Sequence, residues 1–286
     1  MNTILANAKI NLSLAVTGKR SDNYHNLLSL NVPVAPWDKI TISEAGEDFF
    51  SANHGMIPAD NSVVSAVKYL KRYVNENFHI KLEKNIPIMA GFGGGSSDAA
   101  AILKFFNAHY GLNFDGEKLQ GIAGLFGADC PFFIKNKPAI VSGMGDNISE
   151  IGGDFCLNLA RYSVLLFKPN FGISTGEAYR KLDLQPAPHI REDQAMDLIQ
   201  RLISSVNNLE PILPIFNTFS KLTFAEHREL TLLGEALPCS MTLSGSGSGC
   251  FCIFLDPALE PEISRLVKFF LGENIFIQKS AFLLGV

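Results

Sequence analysis

One stretch constrains this chain more than any other: Ala90-Gly-Phe-Gly-Gly-Gly-Ser-Ser-Asp98, followed at once by the apolar run Ala99–Phe106. Gly91, Gly93, Gly94 and Gly95 allow sharp turns and a bare backbone that another group can approach closely. Ile86–Met89 reads as a short strand and the run after Asp98 as a helix. The segment is therefore expected to be strand, glycine loop, helix, the arrangement of an α/β fold. Backbone N–H groups at a helix start carry roughly +0.5 of a charge and suit a phosphate. The Walker pattern is missing, since no Gly-Lys-Ser/Thr occurs. The dinucleotide pattern fails because the sixth position from Gly91 is Ser96. The bland alternative is a tight turn that uses glycine for geometry alone.

Around this loop, Ile10, Leu12, Leu14 and Val16 alternate with Lys9, Asn11, Ser13 and Ala15, the period of a half-buried strand. Lys9 and Asn11 then share its polar face. Thr17–Asn26 is turn-rich, and residues 27–34 and 39–43 read as further strands. Asp60-Asn61-Ser62 caps a helical stretch with Val63, Val64, Val67 and Leu70 at helical spacing. Ile80–Leu82, Ser163–Phe167 and Cys250–Leu255 read as strands. Gly116–Leu125, Gln194–Val206 and Phe219–Leu233 read as helices. The character changes near residue 155, which predicts two domains, 1–153 and 154–286.

The 286 residues are 47% hydrophobic and 18% charged, enough for a core without metals or disulfides. A net charge of −4 argues against nucleic acid as a partner. Cys130, Cys156, Cys239, Cys250 and Cys252 form no C-x-x-C pair and read as buried thiols. No leader pattern and no membrane-length apolar run is seen, so a soluble cytoplasmic protein is expected.

Lys9 is a lone cation on an otherwise small and apolar strand. Asp129 sits in Gly-Ala-Asp-Cys-Pro between an apolar helix and Pro131-Phe132-Phe133, where a carboxylate needs a partner or a task. Phosphoryl transfer needs positive charge near the oxygens and a base for the acceptor hydroxyl. The alternatives are a solvated surface lysine and a helix-cap or turn aspartate.

Four blocks resemble the GHMP kinase superfamily (galactokinase, homoserine kinase, mevalonate kinase and relatives). Gly91–Ala100 resembles its phosphate-binding motif. Ser244-Gly-Ser-Gly-Ser-Gly249 resembles its C-terminal glycine motif, which supports that loop. Ala8-Lys-Ile-Asn-Leu12, continuing through Thr17–His25, and Gly127–Phe133 resemble the branch that acts on 4-diphosphocytidyl-2-C-methyl-D-erythritol. Asn207-Asn-Leu-Glu210 fits that branch too.

The resemblance implies a two-domain α/β (α+β) kinase of GHMP type with its active site in the interdomain cleft, acting in the non-mevalonate isoprenoid pathway. ATP with Mg2+ would phosphorylate the 2-hydroxyl of that cytidine diphosphate-linked methylerythritol. Asp129 would be the general base and Lys9 its charge-stabilising neighbour. Asn11, Tyr24, His25 and Tyr179 would contact the substrate, the two tyrosines stacking on cytosine and His25 bonding its edge. Ala90, Gly91, Phe92, Gly93, Gly94, Gly95, Ser96, Ser97 and Asp98 would hold ATP, with Ser97 reaching the magnesium. Asn61 would lie near adenine or simply cap its helix. A monomer or homodimer is expected, with no membrane or nucleic-acid partner.

This sequence departs from the branch at Asn7 (usually proline), Asn23 (usually glycine), Phe92 (usually leucine) and Asn208 (usually aspartate). Another GHMP kinase acting on homoserine, a mevalonate derivative or a sugar is the first alternative. A non-catalytic nucleotide-binding regulator is the second.

Overall fold

A computed structural model describes residues 1–55 and 57–285. The chain runs through β1 (Asn2–Lys19), β2 (His25–Ala45), β3 (Phe49–Ala52), α1 (Ser62–Leu70), β4 (Asn77–Glu83), α2 (Gly94–His109), α3 (Gly116–Gly124) and α4 (Cys130–Lys135). Then come β5 (Ala139–Gly143), β6 (Asn147–Glu150), α5 (Asp154–Leu159), β7 (Ser163–Lys168), α6 (Thr175–Asp183), α7 (Glu192–Asn207) and β8 (Phe216–Asn217). The order closes with α8 (Ser220–Glu226), α9 (Arg228–Ala236), β9 (Ser240–Leu243), β10 (Cys250–Phe254), α10 (Glu260–Leu271) and β11 (Phe276–Ser280). The expected α/β class is what forms.

Two compact units are distinguished. The first takes Met1–Ala8, Pro36–Ile86 and Gly93–Asn136, the second Lys9–Ala35, Pro87–Phe92 and Lys137–Val286. In the first unit, the far half of β2 pairs antiparallel with β4, Ile40 opposite Leu82 and Ile42 opposite Ile80. Alternate residues on a strand face one side, so these four side chains enter the core with Val63, Val67, Ile102 and Phe106. α1 is cut as its sequence predicts: the Asn61 side chain accepts from Val63 N and Val64 N, and Val63, Ala66, Val67 and Leu70 are buried. α2 buries Ala99–Leu103 and Phe106.

In the second unit, four strands lie in the order β11-β7-β10-β9. β10 is one of the two inner strands, with Cys250 opposite both Phe167 and Leu243. All five of its residues are buried. Strands covered on both faces read as continuous apolar runs, and this one does. The core joins Phe167, Leu243 and Phe254 to Leu230 of α9 and Val267 of α10.

Several sequence expectations needed correction. The two strands expected at 27–34 and 39–43 are one continuous strand, β2. Its proline-bearing middle is paired by the chain end: Ala35 N donates to Ala281 O and Leu283 N to Pro33 O. β1 extends to Lys19, so the turn before His25 is shorter than expected. Ile86–Met89 is no strand. The amides of Asn85 and Ile86 donate to Asp38 Oδ1 at 2.6 and 2.8 Å, and Met89 takes φ 54°. The helix expected over Phe219–Leu233 breaks at His227 into α8 and α9. The pair Phe49-Phe50, apolar without evident reason in the sequence, opens β3, which pairs parallel with β4. Among the described residues, no helix is long and apolar enough to cross a membrane.

Candidate active site

The glycine loop is built from both ends. Its first part, Ala90-Gly91-Phe92, lies in the second unit against the other glycine run. Gly91 has φ 71°, a backbone conformation that favours glycine. A Cβ there would sit 2.7 Å from the Ser244 carbonyl carbon, inside any real contact distance. Ser244 Oγ donates to Gly91 O at 2.9 Å, and Gly249 N donates to Ala90 O at 3.1 Å. The 244–249 run therefore props the loop, as the resemblance implies. Phe92 turns its ring inward: it is 1% exposed, and a Cβ on Gly249 would meet that ring at 2.7 Å. The larger side chain at this position packs beneath the loop.

The second part belongs to the first unit. Gly93 takes φ 74° and stands at the N-cap of α2, with Ser97 N donating to its carbonyl. Ser62 Oγ donates to Gly95 O at 2.8 Å, which brings the start of α1 onto the start of α2. Asn61 is engaged as a cap, its Nδ2 donating to Pro58 O. The Gly-Ala-Asp-Cys-Pro block also reaches α2, since a Cβ on Gly127 would lie 3.4 Å from both Ser96 Oγ and Cys130 Sγ. Asp129, between those residues, is half-buried at the N-cap of α4, yet its side chain makes no capping bond. The capping explanation for Asp129 is therefore not what its carboxylate does. Ser97 is 3% exposed.

Asp98 lies just past the first turn of α2, not within it, and is almost fully buried. Its Oδ2 accepts from Lys84 Nζ at 2.8 Å, and the same ammonium pairs with the fully buried Asp38. Burial, partly offset by Lys84, pushes the Asp98 carboxyl up to about 7. Burial pulls the Lys84 ammonium down, but Asp98 and Asp38 outweigh it and leave it raised. A Cβ on Gly94 would come within 2.9 Å of Lys84 Nζ. Sequence reasoning missed this charge cluster under the loop. Its members are far apart along the chain, and the only signal was a charge beside an apolar run.

Lys9 is 2% exposed, so it is no solvated surface lysine. Its Nζ donates to Asn11 Oδ1 at 2.7 Å, as two residues on one strand face allow. Asn11 Oδ1 also accepts from Gly245 N, and Asn11 Nδ2 donates to Ser29 Oγ and Asn31 Oδ1. An amide side chain has two acceptor sites and two donors, and all four are taken by protein atoms. Asn11 thereby holds Lys9 in place.

His25 is nearly buried and stacks on Tyr179, ring centroids 4.6 Å apart. Tyr179 also meets Phe219 edge-on. Tyr24 is 66% exposed at the end of a turn in which Asn23 takes φ 66°. That is the left-handed region expected of a residue in glycine's place. The His25 Nε2 atom lies 2.7 Å from Asp183 Oδ1, and Lys19 Nζ lies 2.6 Å from Asp183 Oδ2. Hydrogen bonds from Lys19 and His25 hold the Asp183 carboxyl below the usual range, Lys19 contributing most.

Residues 61–137 match the description of GHMP kinases N terminal domain. A solved structure of 4-(cytidine 5'-diphospho)-2C-methyl-D-erythritol kinase superposes with TM-score 0.78 at 24% identity, covering 98% of this chain and 99% of its own. A homoserine kinase from Cytophaga hutchinsonii superposes at 0.72 with 15% identity, covering 100% and 96%. The fold is thus the one those two solved kinases share. Among sequence relatives, the 4-diphosphocytidyl-2-C-methyl-D-erythritol kinase of Bacteroides thetaiotaomicron is 37% identical, covering 96% of this chain and 97% of its own length. The protein of that name from Clostridium beijerinckii is 32% identical, covering 88% and 91%. The chain belongs to the 4-diphosphocytidyl-2-C-methyl-D-erythritol kinase family.

Proposed function

We propose that this protein transfers the γ-phosphoryl group of ATP to the 2-hydroxyl of 4-diphosphocytidyl-2-C-methyl-D-erythritol, giving the 2-phosphate and ADP in the non-mevalonate isoprenoid pathway. The observation that carries the reading is identity to enzymes of that name along almost the whole chain. Asp129 takes the hydroxyl proton as the oxygen attacks phosphorus and the bond to the ADP oxygen breaks. Lys9, held by Asn11, stabilises negative charge on the attacking oxygen. Residues 90–98 cradle the phosphates with backbone N–H groups, and Asn61 lies near the adenine. Tyr24 and Tyr179 stack on cytosine, and His25 bonds its edge.

Mg2+ fits this donor set. It keeps most of its shell as water and phosphate oxygens, so a single hydroxyl from Ser97 suffices from the protein. When bound it neutralises charge on the phosphates. In this reading residues 1–153 form the nucleotide-binding domain, which contains the matched segment 61–137, and 154–286 the substrate domain. The enzyme works in the cytoplasm as a monomer or homodimer, without membrane or nucleic-acid partners.

The test is purified protein with ATP, Mg2+ and the cytidine substrate. ADP and the 2-phosphate are expected; if neither forms, the reaction is wrong. Asp129→Asn should lower kcat by about 10²–10⁴ while leaving ATP affinity intact. Wild-type turnover in that variant would remove Asp129 from the role of base.

A further inference from the structure

The carboxylate of Asp183 lies between two side chains that read its oxygens separately. Lys19 Nζ approaches Oδ2 at 2.6 Å, and His25 Nε2 approaches Oδ1 at 2.7 Å. An ionised carboxylate only accepts hydrogen bonds. His25 must therefore carry its proton on Nε2 to donate to Asp183. A neutral imidazole with a proton on Nε2 has a lone pair on Nδ1, and Nδ1 is then an acceptor. The ring is held in this orientation, because it is nearly buried and stacked on Tyr179 at 4.6 Å. The other titratable group beside the pair is His189, whose Nε2 lies 4.0 Å from the same Oδ1. Burial holds the His189 pKa down.

Resting on the reading above that His25 faces the edge of the pyrimidine, we propose that Asp183, anchored by Lys19, fixes His25 as a hydrogen-bond acceptor and so selects an aminopyrimidine over an oxopyrimidine. Cytosine offers an amino group at position 4, which donates to the Nδ1 lone pair. Uracil offers a carbonyl oxygen there, so two lone pairs would face each other across a desolvated contact. A site built around one hydrogen bond rejects an analogue that cannot complete it, because the protein group is left unpaired. Asp183 acts through His25 and is a positioning residue.

The same geometry dictates what an amide does at this position. In Asp183→Asn the Lys19 ammonium, which only donates, keeps the amide oxygen on its own side. The amide NH2 group then points at His25 Nε2, and that atom must become the acceptor. The proton moves to Nδ1, which now donates and suits the uracil carbonyl.

The experiment compares wild type and Asp183→Asn at pH 8, above the ordinary histidine range, with the cytidine substrate and its uridine counterpart. The ratio of kcat/KM for the two substrates is expected to fall by about 100-fold in the variant, with KM for ATP unchanged. Nitrogen-15 NMR of the histidine rings in wild type should show Nε2 protonated and Nδ1 bare for His25, and the reverse in the variant. An unchanged cytidine-to-uridine ratio in folded Asp183→Asn overturns the proposal, as does a wild-type His25 protonated on Nδ1. Failure of the reaction reading looks different: wild type would turn over neither substrate. The NMR measurement needs no turnover and judges the tautomer by itself.

Discussion

Gly91→Ala is the most revealing single change to the loop. Three costs arise from the structure. The new side chain must sit at φ 71°, where an L-residue costs about 1–2 kcal/mol. Its Cβ would fall 2.7 Å from the Ser244 carbonyl carbon and 3.3 Å from Gly245 Cα, both backbone atoms that cannot swing aside. Overpacking of that kind costs about 1–3 kcal/mol. Relief by separating the segments breaks the bond from Ser244 Oγ to Gly91 O, about 1 kcal/mol more. The expected loss is therefore about 3–6 kcal/mol, a large share of ordinary domain stability. At roughly 2–4 °C per kcal/mol for a unit of this size, thermal unfolding followed by circular dichroism should shift down by about 10 °C. Gly121→Ala is the control. Gly121 lies inside α3 with no atom within 4 Å of a new Cβ, so alanine there should stabilise by about 0.5–1 kcal/mol. If Gly91→Ala melts with wild type, the two glycine runs do not press on each other and the argument fails.

The Lys84 cluster gives two more predictions. Asp98 has its pKa raised by burial to about 7, above its unfolded value, so the native state holds this proton more tightly than the unfolded chain. Its contribution to stability is therefore full below about pH 4 and is lost as pH rises towards and through 7. Denaturant midpoints of wild type and Asp98→Asn across pH 4–8 should converge or cross in that sense; parallel curves would refute the shift. Lys84→Met strands two buried carboxylates and should cost about 3–5 kcal/mol, read from urea unfolding at pH 8. An unchanged midpoint there would mean that the cluster carries no stability.

Much of the fold was legible because local rules and tertiary packing agreed. Ile10, Leu12, Leu14 and Val16 lie within β1 and are buried as expected, but Lys9, Asn11, Ser13 and Ala15 on the other face are buried too, so the strand is not half-buried. Asn61 caps α1 as its position before Ser62 suggests. The misreadings share one cause, the capture of backbone groups by distant side chains or segments. Ile86–Met89 has strand composition, but Asp38 takes the amide of Ile86 and Met89 is left-handed. The Pro33–Pro36 stretch looked like a break between strands because its pairing partner lies near the chain end. At the candidate site, residue types were readable but occupancy was not. Asn11 was visible on the face of Lys9. That its four hydrogen-bonding positions go to Lys9, Gly245, Ser29 and Asn31 depends on three segments far apart in sequence. Asp183 carried no signal at all, being one more acid in the last turn of a polar helix.

Ser244 and Gly91 stand 153 positions apart, yet their backbones occupy space that any side chain would claim. Inheritance must therefore treat the two runs as a single trait. Drift at Gly91 or Gly245 finds no compensating side-chain change across the contact, because main chain lies on both sides of it. Descendant sequences can vary freely on the exposed helices while both runs persist together, or lose both together along with the loop they shape.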